Sequence, residues 1–377
     1  MSFKLPVYRE PDFTIPQFLS YPNVTVQYVE KQGVAPDNFH ATTIFPEYYK
    51  VNGKWLLLSP SRMDCTVVLG EDGRLEAKEL RRLQVGDKVI VGRTEDGSEG
   101  IYIHIKGFRD DSVTSETFAF RTGRSRETSY SRDYDRLYEL LHFEKDNGYI
   151  VWVLGPAVVF DSDSKKAMIS LIENGYVHAI LAGNALAAHD LEGAVLKTAL
   201  GQDIYTQESI PNGHYHHLDI INKARGFDSL EQFITALNID NSIMCACVKN
   251  KVPVVLAGSI RDDGPLPGVI ADVYAAQDAM RQHTKKATTV LCLATQLHSI
   301  ATGNMTPAYQ IVNNAVRPVS IFNVDISEFA VNKLRDRGTL EVTSIVTNIQ
   351  DFLVNLHRNM VLAKQWYHVP VVGNKPW

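Results

Sequence analysis

The sequence predicts an α/β protein: a β-rich, barrel-like N-terminal part, then strands alternating with helices around an open parallel sheet. Three observations predict it. Up to about residue 135 the chain is rich in Tyr, Val, Thr and turn residues and has no long helical period. From Tyr149 short apolar runs alternate with stretches of helical spacing, the pattern of strand–helix–strand units. The apolar run Val252–Leu256 then empties into Ala257–Pro267, AGSIRDDGPLP, where Arg261, Asp262 and Asp263 sit side by side. Gly264, Pro265 and Pro267 forbid a regular helix there. A buried strand that delivers two carboxylates and a guanidinium into a rigid loop is how open α/β sheets place site residues at strand carboxyl ends. The plain alternative is a surface turn held by an Asx hydrogen bond and a solvated ion pair.

The chain has 377 residues, enough for about two or three domains. Hydrophobic residues make up 45% and charged residues 21%, an ordinary globular composition. With a net charge of −5 and no long Lys/Arg cluster, nucleic acid is not expected as the main partner. The N-terminus MSFKLPVYREPDF lacks an apolar signal region, and no run approaches the roughly 18 apolar residues of a membrane span. Cys65, Cys245, Cys247 and Cys292 form no disulfide framework. The C-x-C pair has no second pair to complete a zinc site, so buried thiols are expected and no metal site. These features read as cytoplasmic.

In the first part, Trp55–Leu58, Cys65–Leu69, Lys88–Val91 and Ile101–Ile105 are expected strands, and Val85-Gly86-Asp87 a tight turn. Ser61-Arg62-Met63-Asp64-Cys65 puts Arg62 and Asp64 at the mouth of a strand, either as site residues or as an exposed ion pair. Residues 121–136, RTGRSRETSYSRDYDR, carry Arg121, Arg124, Arg126, Arg132 and Arg136. A polar loop running into a helix fits them, which sets a domain boundary between 1–135 and 136–377. An anion-recognising loop is the functional alternative.

In the second part, Ile150–Leu154 and Tyr176–Ala182 are expected strands, the latter closing on Gly183-Asn184-Ala185. Lys165–Asn174, Ser229–Leu237 and Met244–Val248 have helical spacing. GHYHHLD holds His214, His216 and His217, but no HExxH pattern occurs, so substrate contact or structural hydrogen bonding is expected rather than a metal. Thr288–Ala294 is a strand, Thr295-Gln296-Leu297-His298 turns, and Ser299–Met305 starts a helix. Val319–Val324 ends on Asp325 and Leu340–Val346 on Thr347-Asn348. An acid at the tip of the strand after a strand–turn–helix unit is where dinucleotide-binding folds hold ribose hydroxyls. The G-x-G-x-x-G fingerprint is absent, so a nucleotide edge and a sheet without a ligand both stay open.

AGNALAAHDLE (182–192), GHYHHLDIIN (213–222), CVKNKVPVVLAGSIRDDGPLP (247–267) and LHSIATGNM (297–305), with SRMDC and VGDKVIVG, complete the pattern. Together they resemble the LOR/SDH conserved region of archaeal-type ornithine cyclodeaminases and of the C-terminal half of cyanobacterial arginine dihydrolase/ornithine cyclodeaminase, from about residue 50 to 356. The resemblance implies a β-rich N-terminal domain, a Rossmann-like three-layer αβα NAD-binding domain, and conversion of L-ornithine to L-proline and ammonia. It implies NAD contacts at Asn184, Ala185, Asp263, Thr295, Gln296, Leu297, Asp325, Ile326 and Thr347. The chain departs from the family at FAFRTGRSRETS, at Phe160-Asp161, in an insertion at about 306–318, and at Thr347–Phe352.

That activity needs a carboxylate clamp, for which Arg62 or Arg261 is suited. It needs a proton acceptor, Asp262 or Asp64, and a proton shuttle, His217 or His298. A homo-oligomer, dimer or tetramer, is expected. Two other functions remain: a related NAD enzyme acting on lysine or another amino acid or amine, and a non-catalytic NAD-binding protein. Four polar residues away from the dinucleotide positions speak against the last.

Overall fold

The computed structural model describes residues 5–108, 131–260, 262, 264–327 and 340–362. After a short helix, α1 (Pro16–Ser20), seven strands form two antiparallel sheets. They are β1 (Thr25–Tyr28), β2 (Glu47–Val51), β3 (Lys54–Leu57), β4 (Thr66–Leu69), β5 (Leu75–Lys78), β6 (Lys88–Val91) and β7 (Ile101–Ile103). One sheet runs β1-β6-β4-β5 and the other β3-β2-β7. Both turn apolar residues onto one cluster, Tyr49, Leu58, Cys65, Val67, Ala77, Ile90 and Ile101. This is the small β-rich core that the alternating, turn-punctuated sequence predicts.

Helix α2 (Ser131–Asn147) leads into the second layer system. Its strands are β8 (Ile150–Leu154), β9 (Ala179–Gly183), the two-residue β10 (Thr198–Ala199) and β11 (Gln202–Asp203), β12 (Val254–Ala257) and β13 (Thr289–Leu293). Then come β14 (Tyr309–Val312), β15 (Ala315–Pro318), β16 (Ser320–Asp325) and β17 (Glu341–Val346). The helices are α3 (Ser162–Glu173), α4 (Asn184–Leu196), α5 (His216–Ala224), α6 (Leu230–Ala236), α7 (Ile243–Asn250), α8 (Val273–Thr284), α9 (Gln296–Met305) and α10 (Ile349–His357).

Six strands pair in parallel in the order β12-β9-β8-β13-β16-β17. Counted from β8 this is 3-2-1-4-5-6, the doubly wound order, and the direction of winding reverses between β8 and β13. The strands are apolar on both faces because both are covered. Ile150, Trp152 and Leu154 join one core with residues of α2, α3, α4, α7 and α10, while Val151 and Val153 join the opposite core with Ala276 and Met280 of α8 and Met305 of α9. The result is a three-layer αβα sandwich.

The insertion at 306–318 is the antiparallel hairpin β14–β15. Asn313 and Asn314 turn it with φ of 51° and 61°, the conformation of a tight hairpin turn. Tyr309 Oη donates to the Leu58 carbonyl at 2.6 Å, and Ala308, Tyr309 and Val316 pack with Tyr8, Ile44 and Leu57. The hairpin thus fastens the β-rich region onto the sheet. Arg317 adds two hydrogen bonds of 2.7 and 2.8 Å to the buried Glu144 of α2.

Candidate active site

The reversal point is closed on one side by contact. Gly155, directly after β8, donates its N–H to Leu293 O at 2.8 Å, and a Cβ at this position would overlap the Ala294 carbonyl. Only glycine fits. Ala294 has φ 51°, uncommon for a residue with a side chain. Past Gly155 the chain enters a short turn and reaches Asp161, whose carboxylate accepts from Asp163 N and Ser164 N at 3.1 and 2.9 Å. The N-terminus of α3 is therefore capped by a carboxylate, with a second acid, Asp163, in its first turn.

The helices after β9 and β13 start differently. Gly183 and Thr295 are the N-caps of α4 and α9, and neither makes a side-chain capping bond. Neither helix has an acid in its first turn. The first N–H groups of a helix have no partner within the helix, so these two ends present positive potential and donors that meet no partner among the described residues at the carboxyl edge of the sheet.

His298 of α9 joins the two ends. A Cβ on Gly183 would stand 2.9 Å from His298 Cε1, so the ring lies directly over the tip of β9. Burial pushes the His298 imidazole pKa down, against the opposing field of the Asp262 carboxylate. Asp262 is held by its own loop, its Oδ2 accepting from Ser259 N at 2.8 Å and its N–H bonding Ser259 O at 3.1 Å. The buried Asn184 accepts from Leu266 N at 3.0 Å through Oδ1, which ties the far side of that loop to the first turn of α4. Ala185 follows it in the same turn.

Asp325 ends β16, and the pairing Leu293↔Val324 sets it about one strand spacing, ~4.8 Å, from the β13–α9 turn. One of its oxygens accepts from Ser327 N at 2.9 Å, and its carbonyl accepts from Thr347 N at 3.1 Å. Leu297 and Ile326, 74% and 73% exposed, rim this edge with apolar surface. The structure therefore brings together Asn184, Ala185, Asp262, Thr295, Gln296, Leu297, His298, Asp325, Ile326 and Thr347. Arg261 and Asp263 lie outside the described residues.

The remaining expected site residues are placed elsewhere. Arg62 is buried and pairs with Glu79, beside Arg81, Arg82 and Arg281. Asp64 is exposed, in a left-handed conformation with φ 57°. His217 packs against His189, ring centroids 6.0 Å apart, and Phe160 meets His189 edge-on at 5.5 Å. His189 Nδ1 bonds the buried Glu192 at 2.7 Å, whose other oxygen accepts from Thr198 Oγ1 at 2.8 Å; that hydroxyl lies 2.8 Å from His216 Nδ1. Two of the three histidines of GHYHHLD thus serve a hydrogen-bonded cluster beside α4. Sequence reading missed His189 and Glu192, although both stand in AGNALAAHDLE with helical i, i+3 spacing. Of the Arg-rich segment, Arg121, Arg124 and Arg126 lie outside the described residues, and Arg136 pairs with Glu341 at 2.9 Å. All four cysteines are free and buried.

Oxyanions and ribose hydroxyls are what such an edge binds, so fold and edge define the class: a dinucleotide-binding α/β enzyme. Comparison with known proteins narrows it. Residues 137–356 match the Rossmann-fold part of the "arginine dihydrolase ArgZ-like, C-terminal" family and residues 46–130 match its first region. The chain belongs to this family. An ornithine cyclodeaminase of Methanopyrus kandleri is 38% identical over 338 residues, 87% of this chain and 76% of that protein. A putative LOR/SDH protein from Methanococcus maripaludis superposes with a TM-score of 0.81 at 34% identity, covering 91% of this chain and 99% of that one. The ternary complex of AgrE with ornithine and NAD⁺ superposes with a TM-score of 0.56 at 32% identity, covering 94% of this chain and 47% of AgrE.

Proposed function

We propose that this chain is an NAD-dependent ornithine cyclodeaminase, a lyase converting L-ornithine to L-proline and ammonia in amino-acid metabolism. The observation that carries the reading is the pair of uncapped helix N-termini, α4 and α9, that flank His298 and Asp262. The residues fit NAD. The first N–H groups of α9, at Gln296 and Leu297 behind Thr295, suit the pyrophosphate, and the start of α4 at Asn184 and Ala185 offers a second set of donors. Asp325 suits the ribose hydroxyls, with Ile326 and Thr347 beside it, and Asp263 is the remaining expected contact. A carboxylate there repels a 2′-phosphate, which favours NAD over NADP.

When bound, NAD⁺ supplies a hydride acceptor and donor for Cα of the amino acid, so that no net redox results. The chain supplies the rest. Burial holds His298 neutral at physiological pH, leaving a ring nitrogen to take the proton of the α-ammonium. Asp262, fixed by Ser259, steadies the charge that then forms on the ring. The substrate carboxylate falls to Arg261, the neighbour of Asp262 in the chain, whereas Arg62 lies with Glu79 and Arg281 against α8.

Phe160 against His189 supports a second reading, in which the same chemistry acts on lysine or another amino acid. The gap between the family matches, after residue 130 and before residue 137, supports a boundary at 135/136. Free buried thiols support a reducing, cytoplasmic setting. Among the described residues no helix is long and apolar enough to cross a membrane. Ammonia release from a panel of amino acids, with NAD⁺ added, tests the substrate. L-ornithine should be fastest; faster turnover of lysine would move the assignment to the second reading.

A further inference from the structure

At the seam between the β-rich region and α8, four guanidinium groups converge on one carboxylate. Glu79 follows β5 and is buried. It accepts from Arg81 Nε at 2.9 Å, Arg82 Nε at 2.8 Å and Arg281 Nη1 at 3.2 Å, and pairs with Arg62. Arg62 precedes β4, Arg81 and Arg82 close the turn after β5, and Arg281 lies on α8. From the same helix Gln277 takes a hydrogen bond from Arg81 and Asp278 pairs with Arg82, while the Arg81 guanidinium stacks 4.1 Å over the Tyr274 ring. Arg62 forms a buried wall. Arg82, its side chain 41% exposed, forms an open rim.

Four positive charges face Glu79 and Asp278, with the exposed Glu76 acting on Arg281 from further away. Each guanidinium has five N–H donors, about twenty in all, against about ten lone-pair sites on Glu79, Asp278 and the Gln277 amide oxygen, so donors outnumber acceptors about twofold. The crowding is strong enough that burial and the fields of Arg281, Arg81 and Arg82 push the Arg62 guanidinium down to about 10. Converging guanidinium forks match oxyanions bidentately.

We propose that Arg62, Arg81, Arg82 and Arg281 form a binding site for a compact, multiply charged oxyanion of the phosphate class, with Glu79 as its built-in competitor. A diamino acid is a poor occupant, since its two ammonium groups outweigh its one carboxylate and meet a surplus of positive charge. The cluster's residues are distinct from those of the site described above.

Calorimetric titration of the full chain with inorganic phosphate, in a zwitterionic low-chloride buffer, tests this without reference to turnover. Saturable binding at roughly millimolar affinity or tighter is expected. Arg82→Ala, at the half-exposed rim, should weaken it about tenfold. Glu79→Gln should strengthen it several-fold, because a neutral isostere replaces an anionic competitor. A carboxylate that merely holds the arginines in place gives the opposite sign, with binding lost in Glu79→Gln. If that variant does not fold, Arg82→Ala decides alone. No saturation in the wild type, equal affinity in Arg82→Ala, or displacement of phosphate by L-ornithine would each overturn the proposal; the last would assign the cluster to the amino-acid carboxylate.

Discussion

The two halves of the parallel sheet handle the same task differently. In the half that starts at β8, the first turn is sealed by Gly155 against Ala294, and the next helix is capped by its own Asp161. In the half that starts at β13, the turn at Thr295 leaves the N-terminus of α9 without a side-chain cap, and Asp325 follows on the next strand. Doubly wound folds usually hold the pyrophosphate at the first half's glycine-rich turn. Here that end is already occupied by carboxylates, and an anion would meet repulsion where it expects a dipole. The missing G-x-G-x-x-G is thus no evidence against a dinucleotide. Under the proposed reading it marks α9 as the main phosphate-binding helix.

The comparison can be broken most severely at its hinge. Gly155→Val forces a side chain into the Ala294 carbonyl, and chemical denaturation should register a loss of about 3 kcal/mol or more, or an insoluble protein. A variant as stable as the parent would mean that the two turns do not meet as described. Next in size is Asp325→Ala, which should weaken NAD by about 1–3 kcal/mol in a calorimetric titration while narrowing the preference over NADP. Unchanged affinity would remove the second half from the cofactor site.

Transplanting the first half's acid sharpens the contrast. Gln296→Asp places a carboxylate at the start of α9 and should weaken NAD by about 1 kcal/mol. Asp161→Ala should cost about 1 kcal/mol of stability through the lost cap and leave NAD affinity alone. If both variants bind NAD equally well, the asymmetry between the halves has no bearing on the cofactor.

The smallest effect is a pH dependence. Burial lowers the pKa of His104, His178, His283, His298 and His357 from the ordinary imidazole value near 6.5. Below about pH 6.5 the unfolded chain binds more protons than the folded one, so the stability held by these neutral rings is full above that pH and is lost as the pH falls. Thermal midpoints should drop between about pH 6.5 and 5. A midpoint that rises on acidification would contradict the assigned direction.

Much of this was legible in the sequence because period and punctuation were strong. The strands β8, β9, β12 and β13 are apolar on both faces, and all six strands of the parallel sheet are bounded by turns, so the sheet and its tips could be read directly. The β-rich region was harder. Leu75–Lys78 lacks a β-branched residue, and Glu47–Val51 is buried along its whole length although its Glu and Lys read as solvent-facing. The hairpin at 309–318 was visible only as extra length, although Asn313-Asn314 is a turn signal. Within the site, Asp262 and His298 could be nominated by residue type. The pairing of Glu79 with Arg62 and Arg281 could not, because it joins positions far apart in the chain through tertiary packing alone.

In the proposed reaction hydride leaves and returns to the same carbon, and one measurement addresses that directly. L-ornithine deuterated at C2 is turned over with catalytic NAD⁺, and the product and the dinucleotide are analysed by mass spectrometry. The deuterium should reappear at C2 of L-proline, with ammonia released and no NADH accumulating in solution. One equivalent of deuterated NADH released with a 2-oxo acid would identify an ordinary dehydrogenase, and deuterium lost to water would show that Cα is deprotonated and gives up no hydride.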